Sequence, residues 1–160
     1  MKKFIFQAII LIIVIASGIF LFSQKKIDIP FMPQQAVIKK LGINGSIIKV
    51  EIADTQSKKN LGLGGRASIS SDEGMLFVYE TADKYPYWMK GLKFPLDFVW
   101  IKDNKVVDTL QYAQPPASGE PDASLPIYTS KEPVNQVLEV NGGTVQRLNI
   151  KVGDTITLSD

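Results

Sequence analysis

Hydrophobic positions follow two regimes along the chain. From Phe4 to Phe22 they are continuous: FIFQAIILIIVIASGIFLF carries no charge and one Gln. From Ala36 onward they come in short runs of β-branched and aromatic residues, broken by turn residues. The first regime predicts a membrane-spanning helix. Its length as a helix is roughly 28 Å at ~1.5 Å per residue, enough for the hydrocarbon core. It is apolar on every face, unlike a core helix of a small domain. A cleavable signal peptide has a shorter apolar region that ends at a small-x-small site. Here Ala16-Ser17-Gly18 lies inside the stretch, with Ile19, Phe20, Leu21 and Phe22 still to come. The segment therefore reads as an uncleaved signal anchor. Lys2 and Lys3 stand on one side of it and Lys25 and Lys26 on the other. With the α-amine added, the balance leans to N-terminus in, domain out.

The second regime predicts strands. Ala36–Ile43, Asn44-Gly45 and Ser46–Ala53 form the strongest local signal, because Asn-Gly supplies the positive φ values of a type I′ hairpin turn. Asp54 and Thr55 can cap a short helix through Asn60, ended by Gly62. Met75–Glu80 reads as a strand and Tyr87–Lys90 as a short extended piece. Leu96–Lys102 and Lys105–Tyr112 flank Asp103-Asn104 as a second hairpin. Gln114–Pro126 is a long surface loop of the kind that often carries function. Asn135–Val140 is a strand, Gly142-Gly143 opens a short helix through about Asn149, and Thr155–Leu158 is the last strand.

These elements predict a mainly β protein, a compact antiparallel β-sandwich or barrel-like domain with one or two short helices. No βαβ pattern is evident. Residues 1–26 form the anchor with its flanking lysines, 27–35 a tether stiffened by Pro30 and Pro33, and 36–160 the β-rich domain.

Composition narrows the chemistry. The chain has no Cys and no His, which excludes disulfides, thiolate metal sites and Ser-His-Asp or Cys-His catalysis. The formal charge of +2 is set by the lysines around the anchor; from Ile27 onward 14 basic residues face 16 acidic ones. Beyond the pairs Lys39-Lys40 and Lys58-Lys59 there is no basic cluster, so nucleic acid is a poor partner. The glycines at 62, 64 and 65 lack phosphate-loop spacing and read as a turn.

Several blocks occur in a telling order: Gly62-Leu63-Gly64-Gly65-Arg66, Asp72-Glu73-Gly74-Met75-Leu76-Phe77, Trp88-Met89-Lys90, Leu96-Asp97-Phe98, Val137-Leu138-Glu139-Val140, Gly142-Gly143 and Val152-Gly153-Asp154. Together they resemble the prokaryotic family called domain of unknown function 192, over roughly residues 45–158. The family usually has Met where Gly64 stands and Phe where Tyr87 stands. The resemblance implies a compact, mostly β fold. It implies no reaction and no catalytic residues.

Four residues stand out as candidate ligand contacts: Arg66, Trp88, Lys90 and Asp97. Leu96, Phe98 and Trp100 share one face of their strand, and Asp97, Val99 and Ile101 the other. Asp97 is the misfit on an apolar face and needs a cation or several donors. One reading puts Arg66, Lys90 and Asp97 in a polar recess with Trp88 on its wall, where Arg could hold an anion and Trp stack on a flat ligand. The plainer reading is an internal ion-pair network that fixes register. Trp88 and Trp100 alone read as core, and Met75 and Met89 as gap-fillers. Asp72, Glu73 and Asp97 lack the spacing of a calcium loop, and pairing them as acid and base, or a loop serine with Lys90, has no specific support.

The expectation is a membrane-anchored extracytoplasmic module that binds an envelope ligand or protein partner, with no cofactor or metal implied. Two alternatives stay open: a carboxylate-dependent hydrolase of an envelope polymer, and a structural subunit of an envelope complex. The anchor shows no clear small-xxx-small motif for helix pairing.

Overall fold

The computed structural model of the chain describes residues 36–160. The anchor Phe4–Phe22 and the tether 27–35 lie outside the described residues. Among the described residues no helix is long and apolar enough to cross a membrane.

Seven strands run in the order β1 (Ile38–Ile43), β2 (Ser46–Ala53), β3 (Glu73–Asp83), β4 (Leu96–Lys102), β5 (Lys105–Ala113), β6 (Val134–Asn141) and β7 (Thr157–Ser159). Two short helices, α1 (Gln56–Leu61) and α2 (Thr144–Arg147), interrupt them. The sheet order is β5-β4-β6-β3-β2-β1-β7. Its ends meet. Residues 157–159 pair with β1, while just upstream Thr155 bridges Lys105 of β5. The Val106 amide donates to the Asp154 carbonyl and the Ile156 amide to the Asn104 carbonyl, each at 2.8 Å. The last segment thus closes the sheet into a small barrel, which leaves no long free edge.

Both hairpins form as their turns dictate. Asn44 and Gly45 have φ of 49° and 74°, and Asp103 and Asn104 have 50° and 65°. These positive values twist the turn in the sense the flanking strands require. Thr55 caps α1 by accepting from the Lys58 amide at 3.3 Å. The expected antiparallel sheet needs one correction. β2 and β3 are parallel, joined by a crossover that contains α1. Alternation along a strand reports which face is buried, not the direction of its neighbour, and the helix is too short to announce a crossover. β3 is also longer than its apolar run. It continues to Asp83 through exposed residues because β6 still offers a partner there, Val134, after a register shift. α2 stops at Arg147, with Asn149 left-handed at φ 52°, short of the expected end.

Two apolar clusters lie on opposite faces of the sheet. Inside the barrel, Leu41, Ile48, Leu76, Val99, Leu138 and Ile156 pack with Val145 of α2, which plugs one end. Outside, Met75, Phe77, Phe98, Trp100 and Val137 are covered by loop residues that include Leu63, Tyr87 and Met89. β4 is therefore buried on both faces, as its unbroken apolar run implies. The functional questions lie in the outer layer, where loops meet the sheet.

Candidate ligand cavity over Glu139

β6 alternates strictly. Leu138 and Val140 point into the barrel and Val137 points to the outer cluster, so Glu139 also faces outward. Its register partners are Met75 on β3 and Phe98 on β4. The sequence thus sets an acidic residue in the apolar outer layer, only 5% exposed as a whole. No hydrogen bond or ion pair reaches that carboxyl from any described residue. Burial alone pushes its pKa up to about 8, since the charged form loses its water and gains no partner.

Glu139 lines a cavity of about 510 Å³, within the size range of small-molecule sites. One side is α1 and the turn after it; the other is the segment from Tyr85 to Leu92. Aromatic rings dominate the wall. Tyr79 stacks on Tyr85 with centroids 3.5 Å apart, and Tyr87 meets Phe77 edge-on at 5.2 Å. The Tyr79 and Tyr87 hydroxyls are 2.8 Å apart and share one proton between them. Burial raises the pKa of both phenols; the hydrogen bond with Tyr87 opposes that rise for Tyr79, and the same bond adds to it for Tyr87. Tyr87 is held in place by reciprocal backbone bonds with Tyr128, 2.8 Å each way.

The mouth carries two ammonium groups. Lys59 Nζ sits 4.2 Å from the centroid of the Tyr79 ring. It has no carboxylate partner among the described residues. Lys90 Nζ sits 5.1 Å from the Trp88 ring and pairs with Asp122 in the 114–126 loop. Trp88 itself is 47% exposed, and Leu61 across the mouth is 69% exposed. An exposed Trp beside a cavity is a stacking surface.

The four residues singled out from sequence are not brought together. Trp88 and Lys90 line this cavity. Arg66 instead holds Glu51 of β2 through both guanidinium nitrogens, with NH2 to Oε2 at 2.8 Å, beside a separate recess of about 230 Å³. That bond holds the Glu51 carboxyl below its usual range and raises Arg66. Asp97 faces the barrel interior, fully buried. It accepts from the backbone amides of Tyr112 (2.8 Å), Gly143 (2.9 Å) and Val145 (2.8 Å). It therefore fastens the start of α2 and a left-handed Tyr112 (φ 55°) to β4. Gly143 is required there, since a Cβ would strike the Tyr112 hydroxyl at φ 92°. Asp72 pairs with Lys49 at 3.0 Å on the surface. Glu139 was not singled out from sequence. The signal was present in Val137-Leu138-Glu139-Val140: an acid inside a strand whose neighbours are all apolar, the same signal that drew attention to Asp97.

Comparison with known proteins supports the family and the fold. The sequence profile of domain of unknown function 192, described as an uncharacterized ACR family, matches residues 26–158. The fold is similar to that of a candidate transcription regulator from Sinorhizobium meliloti 1021, with 29% identity and a TM-score of 0.70, over 79% of this chain and 98% of that one. It is also similar to a protein of unknown function from Novosphingobium aromaticivorans DSM 12444, with 28% identity and a TM-score of 0.67, over 79% of this chain and 89% of that one. No curated protein matches the sequence. The chain belongs to the domain of unknown function 192 family.

Proposed function

We propose that this protein is a membrane-tethered extracytoplasmic binding module whose ligand enters the cavity over Glu139. One observation carries the reading: Glu139, a residue 95% buried whose carboxyl group has no partner among the described residues, lines an open cavity walled by aromatic rings. An unpaired buried polar group is costly, and a ligand that supplies the missing partner removes the cost. Trp88 and Lys90 contact the ligand at the mouth. Arg66 and Asp97 act from elsewhere, by holding β2 to its covering loop and α2 to the barrel. The envelope placement is part of the proposal and rests on the sequence of the anchor Phe4–Phe22 alone.

Nucleic acid has no part in this reading. Of the basic pairs, Lys39 and Lys40 are engaged by Asp160 and Lys58 by Asp54. Paired-carboxylate hydrolysis is not favoured either. Among the described residues Glu139 is the one acid lining the cavity, and that mechanism uses two.

The test is a thermal-shift screen of the full-length chain against envelope saccharides, amino compounds, peptides and anions, run beside Trp88→Ala. A compound that binds only the folded state raises the melting temperature by mass action. The reading predicts at least one such compound whose shift disappears in Trp88→Ala. A screen without any Trp88-dependent shift would remove the cavity from consideration. Protease treatment of intact and opened cells tests the placement: the domain is cut in both if it lies outside the membrane.

A further inference from the structure

Charge is ordered along the cavity. Glu139 is its least exposed polar lining residue, and the more exposed Lys59 and Lys90 carry ammonium groups toward the mouth. We infer that the ligand is a small zwitterion, an amine that sets its ammonium against Glu139 and its anionic group against Lys59 at the mouth. This rests on the reading of the cavity as a ligand site and specifies what that site takes.

Each charge pattern other than a zwitterion leaves a group unmatched. A simple cation satisfies Glu139 but enters past Lys59, whose ammonium no carboxylate among the described residues neutralises. A simple anion meets Lys59 but leaves the buried carboxyl without a donor. Between the two ends the wall is ring surface. Phe77, Tyr85 and Trp88 offer apolar contact to the body of the ligand, and the face of an aromatic ring also attracts an ammonium. The protein already shows that preference, since its own Lys59 and Lys90 rest over Tyr79 and Trp88. Of the two protons on Tyr79 and Tyr87, one lies between the oxygens and the other is free to bond a ligand. Lys90 is already matched by Asp122, so Lys59 carries the anionic end.

Binding of an ammonium requires the carboxylate form. Burial lets Glu139 hold its proton up to about pH 8. At pH 7 a bound ammonium therefore displaces the Glu139 proton to solvent, and binding releases close to one proton per site.

Four probes of one shape separate the charge patterns: phenylalanine, phenethylamine, 3-phenylpropionate and 2-phenylethanol. Titration calorimetry on the full-length chain at pH 7, repeated in buffers of different ionisation heat, reads affinity and proton release together. Phenylalanine is expected to bind at least about tenfold more tightly than each of the others, with close to one proton released. Glu139→Gln should abolish the release and bring phenylalanine down to 3-phenylpropionate. Lys59→Met, on the surface, should bring it down to phenethylamine without changing the melting temperature. The inference is overturned if 3-phenylpropionate or 2-phenylethanol binds as tightly as phenylalanine, if Glu139→Gln leaves phenylalanine binding intact, or if none of the four binds. In that last case a Trp88-dependent thermal shift with a saccharide keeps the cavity as a site and rejects only the zwitterion. Absence of both rejects the site as well.

Discussion

Asp97 and Glu139 are two buried acids on neighbouring strands, one residue apart in register and on opposite faces of the same sheet. Asp97 lies inside the barrel and receives three backbone amides. Glu139 lies outside it and receives none from the described residues. The contrast separates two uses of a buried carboxyl group. A carboxyl group whose acceptor sites are filled by backbone amides fixes structure, and one left unfilled at a cavity wall is open to a partner, as the proposed function requires. Burial of an acid is shared by both and marks neither; the count of donors distinguishes them.

The largest effect that could break this comparison is at Asp97. Asp97→Ala leaves the amides of Tyr112, Gly143 and Val145 without an acceptor, and a buried unsatisfied donor costs about 1–3 kcal/mol. Allowing for partial relaxation, the loss should be about 5 kcal/mol, read from the denaturant midpoint, with Asp97→Asn losing roughly half as much. A loss below ~1 kcal/mol would mean that α2 and Tyr112 find other acceptors, and the structural assignment of Asp97 would fall.

Glu139 should behave in the opposite way. Its pKa is raised from 4.5 to about 8 by folding. Between those values the folded chain holds a proton that the unfolded chain has lost, so stability falls as pH rises. The favourable contribution is complete below pH 4.5 and gone above about 8. The span corresponds to a loss on the order of 5 kcal/mol, with no further change above it. Glu139→Gln should flatten the curve and stabilise the protein at pH 8. Wild-type and variant curves that superimpose from pH 5 to 8 would show that the carboxyl has a partner or water that lowers its cost.

The Arg66–Glu51 pair supplies a smaller effect of reversed sign. The Glu51 carboxyl is held below its ordinary range by the Arg66 hydrogen bonds. Its contribution is present above the unfolded pKa and is lost as pH falls through the folded one. Both side chains are partly exposed, 34% and 26%, so solvent screening keeps the pair near about 1 kcal/mol. Arg66→Ala should lower stability by that amount at pH 6 and by nearly nothing at pH 2.5. Together the two acids place the stability maximum near pH 5, a position that thermal melts across pH 3–9 would check.

Much of the fold was legible because turn chemistry and side-chain alternation are local. Asn44-Gly45 and Asp103-Asn104 set both hairpins, and the two faces of Leu96–Lys102 were assigned correctly. The parallel β2–β3 pair was not legible, because pairing direction depends on where a crossover of 19 residues delivers the chain. The site was half legible for a related reason. A buried acid in an apolar strand can be seen in sequence at 97 and at 139. Whether amides 15 to 48 residues away reach it is a property of the closed barrel. Trp88 and Lys90 reach the same candidate cavity because they sit two residues apart on one loop, whereas Tyr79 and Lys59 join them only through the parallel crossover that brings α1 over β3.

The smallest expected change in stability is the most informative about the outer face. Trp88 is half exposed, has Lys90 Nζ 5.1 Å from its ring centroid, and belongs to neither buried cluster. Trp88→Ala should therefore shift stability by about 0.5 kcal/mol or less, as surface substitutions do. A wall residue that stacks on a ligand should at the same time cost that ligand roughly tenfold in affinity, an aromatic contact being about 1 kcal/mol beyond simple area burial. Asp97→Asn gives the complementary pattern, a large loss of stability with ligand affinity unchanged wherever the protein remains folded. If Trp88→Ala destabilises the chain as much as Asp97→Asn does, the ring is a lid on the outer core, and the distinction between a satisfied inner acid and a waiting outer one loses its functional side.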